Sequence, residues 1–212
     1  MYLPISLGYN CYVKRYIDTI WSGETNLFDW IGTSMWGILM LFQEDFKDAF
    51  ERDFYSFVKI TTERRPILTH NKYYIRVLHD EMDTYTQKYL RRLERLKTIL
   101  NTANDNSDIH LLFIRLEESQ YARIMYENYA EYYRHDELHY IKLLTEFLVT
   151  NYPKLQFTFA YIRPDTGTGT RSSIHDYLGH RIVEINTDIE ITWINCREKL
   201  AEILKDIIPE RA

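Results

Sequence analysis

The sequence predicts an α/β fold: a single three-layer domain over residues 1–212, with a largely parallel, Rossmann-like sheet flanked by helices. Three observations predict it. Apolar, β-forming runs alternate with stretches whose apolar residues recur at helical spacing, the order expected of strand–helix units. The run Ile109–Leu116 is almost continuously apolar, as a strand buried on both faces must be. The hydrophobic fraction of 45% and charged fraction of 27% suit a globular domain with a real core. No internal repeat and no clear linker divides the chain.

The elements follow in order. Leu3–Leu7 reads as a strand, broken by Gly8-Tyr9-Asn10. Val13, Tyr16, Ile17 and Ile20 then fall at helical spacing, and Trp21-Ser22-Gly23-Glu24 ends that helix. Thr33 or Ser34 caps a helix over Met35–Phe42. Glu44–Pro66 is charged and aromatic and carries no clear period. Tyr73–Leu78 reads as a second strand. Tyr85, Tyr89, Leu93, Leu96 and Leu100 stripe a helix over Asp83–Leu100, with Lys88, Arg91, Arg92 and Arg95 off the stripe. Asn101–Asp108 reads as a polar loop and Ile109–Leu116 as the third strand. Tyr121–Leu148 is mostly helical in pattern. Leu155–Ile162 is a fourth strand, Pro164–Thr170 an open Gly/Thr loop, Arg181–Asn186 a last strand and Thr192–Ile207 a closing amphipathic helix.

Composition excludes some functions. A net charge of −5 and a pI near 5.8 give no electrostatic basis for binding nucleic acid or an anionic membrane. No apolar run approaches the ~20 residues of a membrane span. Met1-Tyr2-Leu3-Pro4 lacks the basic start and apolar core of a signal peptide. Cys11 and Cys196 are too few for a disulfide framework, so a reducing, cytoplasmic setting is expected. The 18 Tyr, 10 Phe and 4 Trp are a surplus. Such rings suit sugar faces and nucleobases, and they equally frame a core.

In α/β sheets ligands collect beyond the carboxyl ends of the strands. Those ends read Gly8-Tyr9-Asn10-Cys11, His79-Asp80-Glu81, Arg115-Leu116-Glu117-Glu118 and Arg163-Pro164-Asp165. Gly8 lets backbone approach a ligand, and the following helix start suits either a phosphate or a Cys11 thiolate of lowered pKa. Cys11 as a small buried residue is the alternative. Arg115 and Arg163 suit bidentate contact with a diphosphate, or else a salt bridge to a neighbouring carboxylate. Asp29, Asp80, Glu81 and Glu117 are candidate general bases. "RHDELH" sets His135 and His139 one helical turn apart without the order of a zinc protease, so it reads as a solvated helix face. No Asp-x-Asp motif stands at a strand end, so no metal ligand is assigned.

"SLGYNC" (Ser6–Cys11), "LFDWIG" (Leu27–Gly32), "LHDE" (Leu78–Glu81), "YLRRLERL" (Tyr89–Leu96) and "LLFIRLEES" (Leu111–Ser119) resemble a poorly characterised family of bacteria and large DNA viruses labelled as papain-like cysteine peptidases. The resemblance stops near Ser119. It implies Cys11 as nucleophile, His79 as its base and Asn10 as a donor to an oxyanion. The family also accompanies glycan-assembly genes. That setting implies instead a glycosyltransferase moving a sugar from a nucleotide-diphosphate donor to a glycan hydroxyl, in the cytoplasm of a bacterium or of a virus's host. Arg115 and Arg163 would then hold the diphosphate, Asp29, Asp80 or Glu117 would be the base, and Tyr9 and Trp30 would stack on sugar or nucleobase. Gly8 and Asn10 would shape the loop. The transferase is the expectation carried forward, with Mg²⁺ or Mn²⁺ left open as a helper ion. The peptidase and a non-catalytic glycan-assembly module are the alternatives.

Overall fold

The computed structural model describes residues 1–8, 11–60, 66–77, 82–117, 135–164, 169–192 and 194–207. The chain forms a mixed α/β structure around a mostly parallel five-stranded sheet flanked by helices. Strands β1 (Tyr2–Ser6), β6 (His110–Leu116), β7 (Gln156–Pro164) and β9 (His180–Thr187) run parallel in that order. Strand β8 (Arg171–Tyr177) closes one edge antiparallel to β9. A second, antiparallel sheet has the order β2 (Ile31–Gly32), β5 (Arg76–Val77), β4 (Pro66–His70), β3 (Tyr55–Ile60).

Register decides which residues share a face. Ile5 pairs with Phe113, Phe113 with Phe159, and Phe159 with Ile182. Side chains alternate along each strand, so these four form one apolar row on one face. They pack with helices α2 (Met35–Gln43), α3 (Met82–Asp105) and α4 (Glu137–Asn151). The opposite face carries Leu112, Ile114, Ala160, Ile162, Val183 and Ile185, packed with α1 (Tyr12–Ile20) and α5 (Cys196–Leu204). The doubly buried β6 and β7 explain why their sequences are apolar runs rather than alternating ones.

Three expectations change. Tyr73–Leu78 does not add a strand to the parallel sheet. Its one strand segment, β5, pairs with β2 and β4 in the antiparallel sheet. Asn101–Asp105 is not loop but the end of α3, because Ala103 continues the buried stripe of Leu96 and Leu100. β8 carried no apolar alternation to announce it, and the alternation of β3 (Tyr55-Ser56-Phe57, Val58-Lys59-Ile60) is broken by a register shift between Phe57 and Lys59. The first four residues of β8 are exposed, so nothing in Arg171–Tyr177 needed to be apolar. Ser34 does cap α2, its Oγ accepting from the Gly37 N–H at 2.8 Å. None of the described helices is long and apolar enough to cross a membrane.

Candidate functional site

Two residues beyond the apolar row the same face turns polar. Arg115 stands beside Tyr161, Tyr161 beside Glu184, and Glu184 beside Ser173. Glu117 and Arg163 follow one step further on, the Glu117 N–H bonding the Ile162 carbonyl at 2.8 Å. Three parallel strands therefore end in one layer of titratable groups.

Arg163 is the hinge of that layer. Its Nη1 donates to Glu184 Oε1 at 2.8 Å, and its Nε reaches Glu117 Oε2 at 3.4 Å. His175 Nε2 lies 2.9 Å from Glu184 Oε2. Burial would raise the Glu184 carboxyl, but hydrogen bonds from Arg163 and His175 outweigh it and hold the group below its ordinary value. Burial, with the charges of Glu137 and Glu117, pushes the Tyr161 phenol up. The Tyr161 hydroxyl is buried beside those carboxylates and makes no hydrogen bond of good geometry. Ser173 Oγ is 3.4 Å from the same His175 nitrogen that Glu184 holds. A Ser–His–acid relay uses both ring nitrogens, so these three do not form one.

Arg115 has a different duty from the one expected. It is fully buried, and its guanidinium grips Glu137 through Nε at 2.9 Å and through Nη2. Nη1 donates to the carbonyls of Leu7 at 3.1 Å and Thr33 at 3.0 Å. One side chain thus ties the end of β1, the turn before α2 and the start of α4, and it is not placed to hold a diphosphate. Glu137, read as part of a solvated face, is its buried partner. Asp136 beside it caps α4 by accepting from the His139 N–H at 2.9 Å. Arg163 takes the alternative expected of it, a salt bridge to neighbouring carboxylates. Two carboxylates already surround its one guanidinium, which disfavours a phosphate there.

Gly8 sits at φ +74°, and a Cβ on it would lie 2.2 Å from Thr33 Oγ1. That hydroxyl donates to the Leu7 carbonyl at 2.9 Å. The glycine therefore admits Thr33 rather than a ligand. Gly8→Ala is expected to cost about 2 kcal/mol in urea unfolding, from left-handed backbone strain and the clash. Adding Thr33→Ala should relieve the clash and leave the strain. An unchanged midpoint in the single variant would overturn this account.

Cys11 precedes α1, whose first turn has no acidic residue and no side-chain cap. Burial pushes its thiol pKa up, opposite to the expectation of a helix-activated thiolate. Asp29 lies in the 27–30 turn, buried with Lys14 Nζ 3.5 Å away and the Asn26 N–H at 2.6 Å. It is held inside rather than offered to a substrate hydroxyl. Trp30 in the same turn is half-buried. Tyr9, Asn10, His79, Asp80 and Glu81 lie outside the described residues, as does most of the Pro164–Thr170 loop.

No family model, curated protein or solved structure matches the chain. The site is therefore read from its own residues. Among the described residues no group of three or more His, Cys, Asp and Glu side chains could hold a metal ion. Of the candidates, Glu117 and Arg163 are brought together, while Gly8 follows the end of β1 and packs against Thr33. Tyr161, His175 and Glu184 were missed. Glu184 did carry a signal, as a lone charge inside the apolar run Ile182–Ile185. A buried charge in a strand is rare unless partnered.

Proposed function

We propose that the chain is a glycosyltransferase working at the carboxyl edge of the parallel strands, in a three-layer, Rossmann-like arrangement. The observation that carries the reading is Glu117, a buried carboxylate at the end of a central strand that Arg163 approaches less closely than it does Glu184. In the transfer step a Glu117 oxygen takes the proton of the acceptor hydroxyl. The hydroxyl oxygen bonds to the anomeric carbon, and the nucleoside diphosphate leaves with the electrons of the broken bond. The diphosphate is assigned to the uncapped start of α1 rather than to Arg115. Arg163, Glu184 and His175 set the charge beside the base. Among the described residues nothing brings the Cys11 thiol below its ordinary pKa, which burial raises, and the peptidase would need His79 to activate it.

Thermal unfolding against nucleoside diphosphates and nucleotide sugars, with and without Mg²⁺ or Mn²⁺, tests the donor site. A ligand at ~100 times its dissociation constant should add about 2.7 kcal/mol, a shift of several degrees. Glu117→Gln should then lower transfer about 10²-fold while keeping that shift. Cys11→Ser should keep transfer. Absence of any shift, together with a hydrolase activity lost on alkylating Cys11, would replace the transferase with the peptidase.

A further inference from the structure

Strand β8 is an edge of the five-stranded sheet, and among the described residues β9 is its one strand neighbour. The two pair without interruption from Arg171↔Asn186 to Tyr177↔His180. Long edges are normally blunted by proline, lysine, a bulge or an inward charge. Arg171–Tyr177 contains no proline, no lysine and no bulge, and its charges, Arg171 and Asp176, stand near its two ends and leave the centre at Ile174 uncharged. It also exposes an isoleucine, Ile174, at 55%, directly across from the buried Val183.

We propose that β8 is a homodimer interface, pairing antiparallel with β8 of a second copy about a two-fold axis at Ile174. The register follows from face and charge. In a continuous sheet, residues directly opposite must point to the same face, so the two-fold axis must pass through a residue rather than between two. Centred on Ser173, the ladder sets Arg171 opposite His175 and Ser172 opposite Ile174, two poor matches. Centred on His175, it stacks two imidazoles on each other and sets Ile174 against Asp176. Centred on Ile174, it sets the two exposed isoleucines together, Ser172 against Asp176, Ser173 against His175 and Arg171 against Tyr177. These are an apolar pair and two hydrogen-bonding pairs, with Arg171 at each end beside a Tyr177 whose ring faces Lys142 and whose hydroxyl donates to Glu146. The Ile174 pair would also extend the apolar row that begins at Val183.

The occupant is a second copy because this strand is complementary to itself. The proposal does not depend on the transferase reading. It does place Ser173 of the partner subunit beside His175, at the border of the candidate site.

Sedimentation velocity over a concentration series is the test. The wild-type chain is expected to dimerise. Ile174→Lys sets like charges opposite and should weaken association at least about tenfold. Ile174→Leu should keep it. The side chain is exposed, so Ile174→Lys should retain the wild-type circular dichroism, and its melting temperature should match wild type at concentrations where both are monomeric. A wild-type chain that stays monomeric at every concentration overturns the proposal, and so does an Ile174→Lys chain that dimerises as tightly as wild type.

Discussion

Arg115→Met is expected to destabilise the fold by about 3–5 kcal/mol, the cost of leaving a buried ion-pair partner alone. Glu137 would lose the guanidinium that compensates it in a buried position, and the Leu7 and Thr33 carbonyls would each lose a donor. Glu137→Leu alone should cost a similar amount, because it strands a guanidinium that is fully buried. The double variant should be far better than the sum, since an apolar pair of similar volume replaces a compensated ion pair. Urea unfolding of the four proteins measures the coupling. A cost below about 1 kcal/mol for Arg115→Met would place the residue among weakly coupled surface pairs and remove its role as the tie between β1, α2 and α4. A diphosphate-binding Arg115 makes a contrary forecast: the variant would keep its stability and lose nucleotide.

That residue also marks where the sequence was legible. The strands with two buried faces, and α3 with its tyrosine–leucine stripe, announce themselves, because burial dictates apolar residues at fixed periods. Strand ends predict where titratable groups gather, and Glu117 and Arg163 do meet there. What a sequence does not carry is the partner. Arg115 at a strand end looks the same whether it faces a phosphate or Glu137, 22 positions further along the chain. Edge strand β8 stayed hidden for the opposite reason. Its exposed residues answer to no core, so no period constrains them. Asp29 stayed ambiguous because its surroundings come from α1 and α3 together: Lys14 beside it and Arg92 nearby.

Asp29 has a pH signature with a definite sign. Burial raises its carboxyl pKa from 3.8 to about 6, although Lys14, the Asn26 N–H and Arg92 all pull it down. One of its oxygens, Oδ1, is buried without a hydrogen-bond partner. Because the folded pKa lies above the unfolded one, the folded chain holds the proton more tightly between the two values. The contribution of Asp29 is therefore complete below the unfolded pKa and is lost as pH rises through the folded one, by about 3 kcal/mol in all. Asp29→Asn removes the titration, and Lys14 keeps Asp18 at 2.7 Å. The stability of Asp29→Asn relative to wild type should therefore climb by about that amount from about pH 4 to about pH 7. Comparing the two proteins cancels the buried His70 and the half-buried His110 and His180, whose pKa values burial lowers and which work in the opposite direction on acidification. A flat difference in urea unfolding across that range would mean the Lys14 pair fully offsets burial. A difference of the opposite sign would mean that Asp29 is stabilised as the ion, which would return it to the list of carboxylates ready to act as a base.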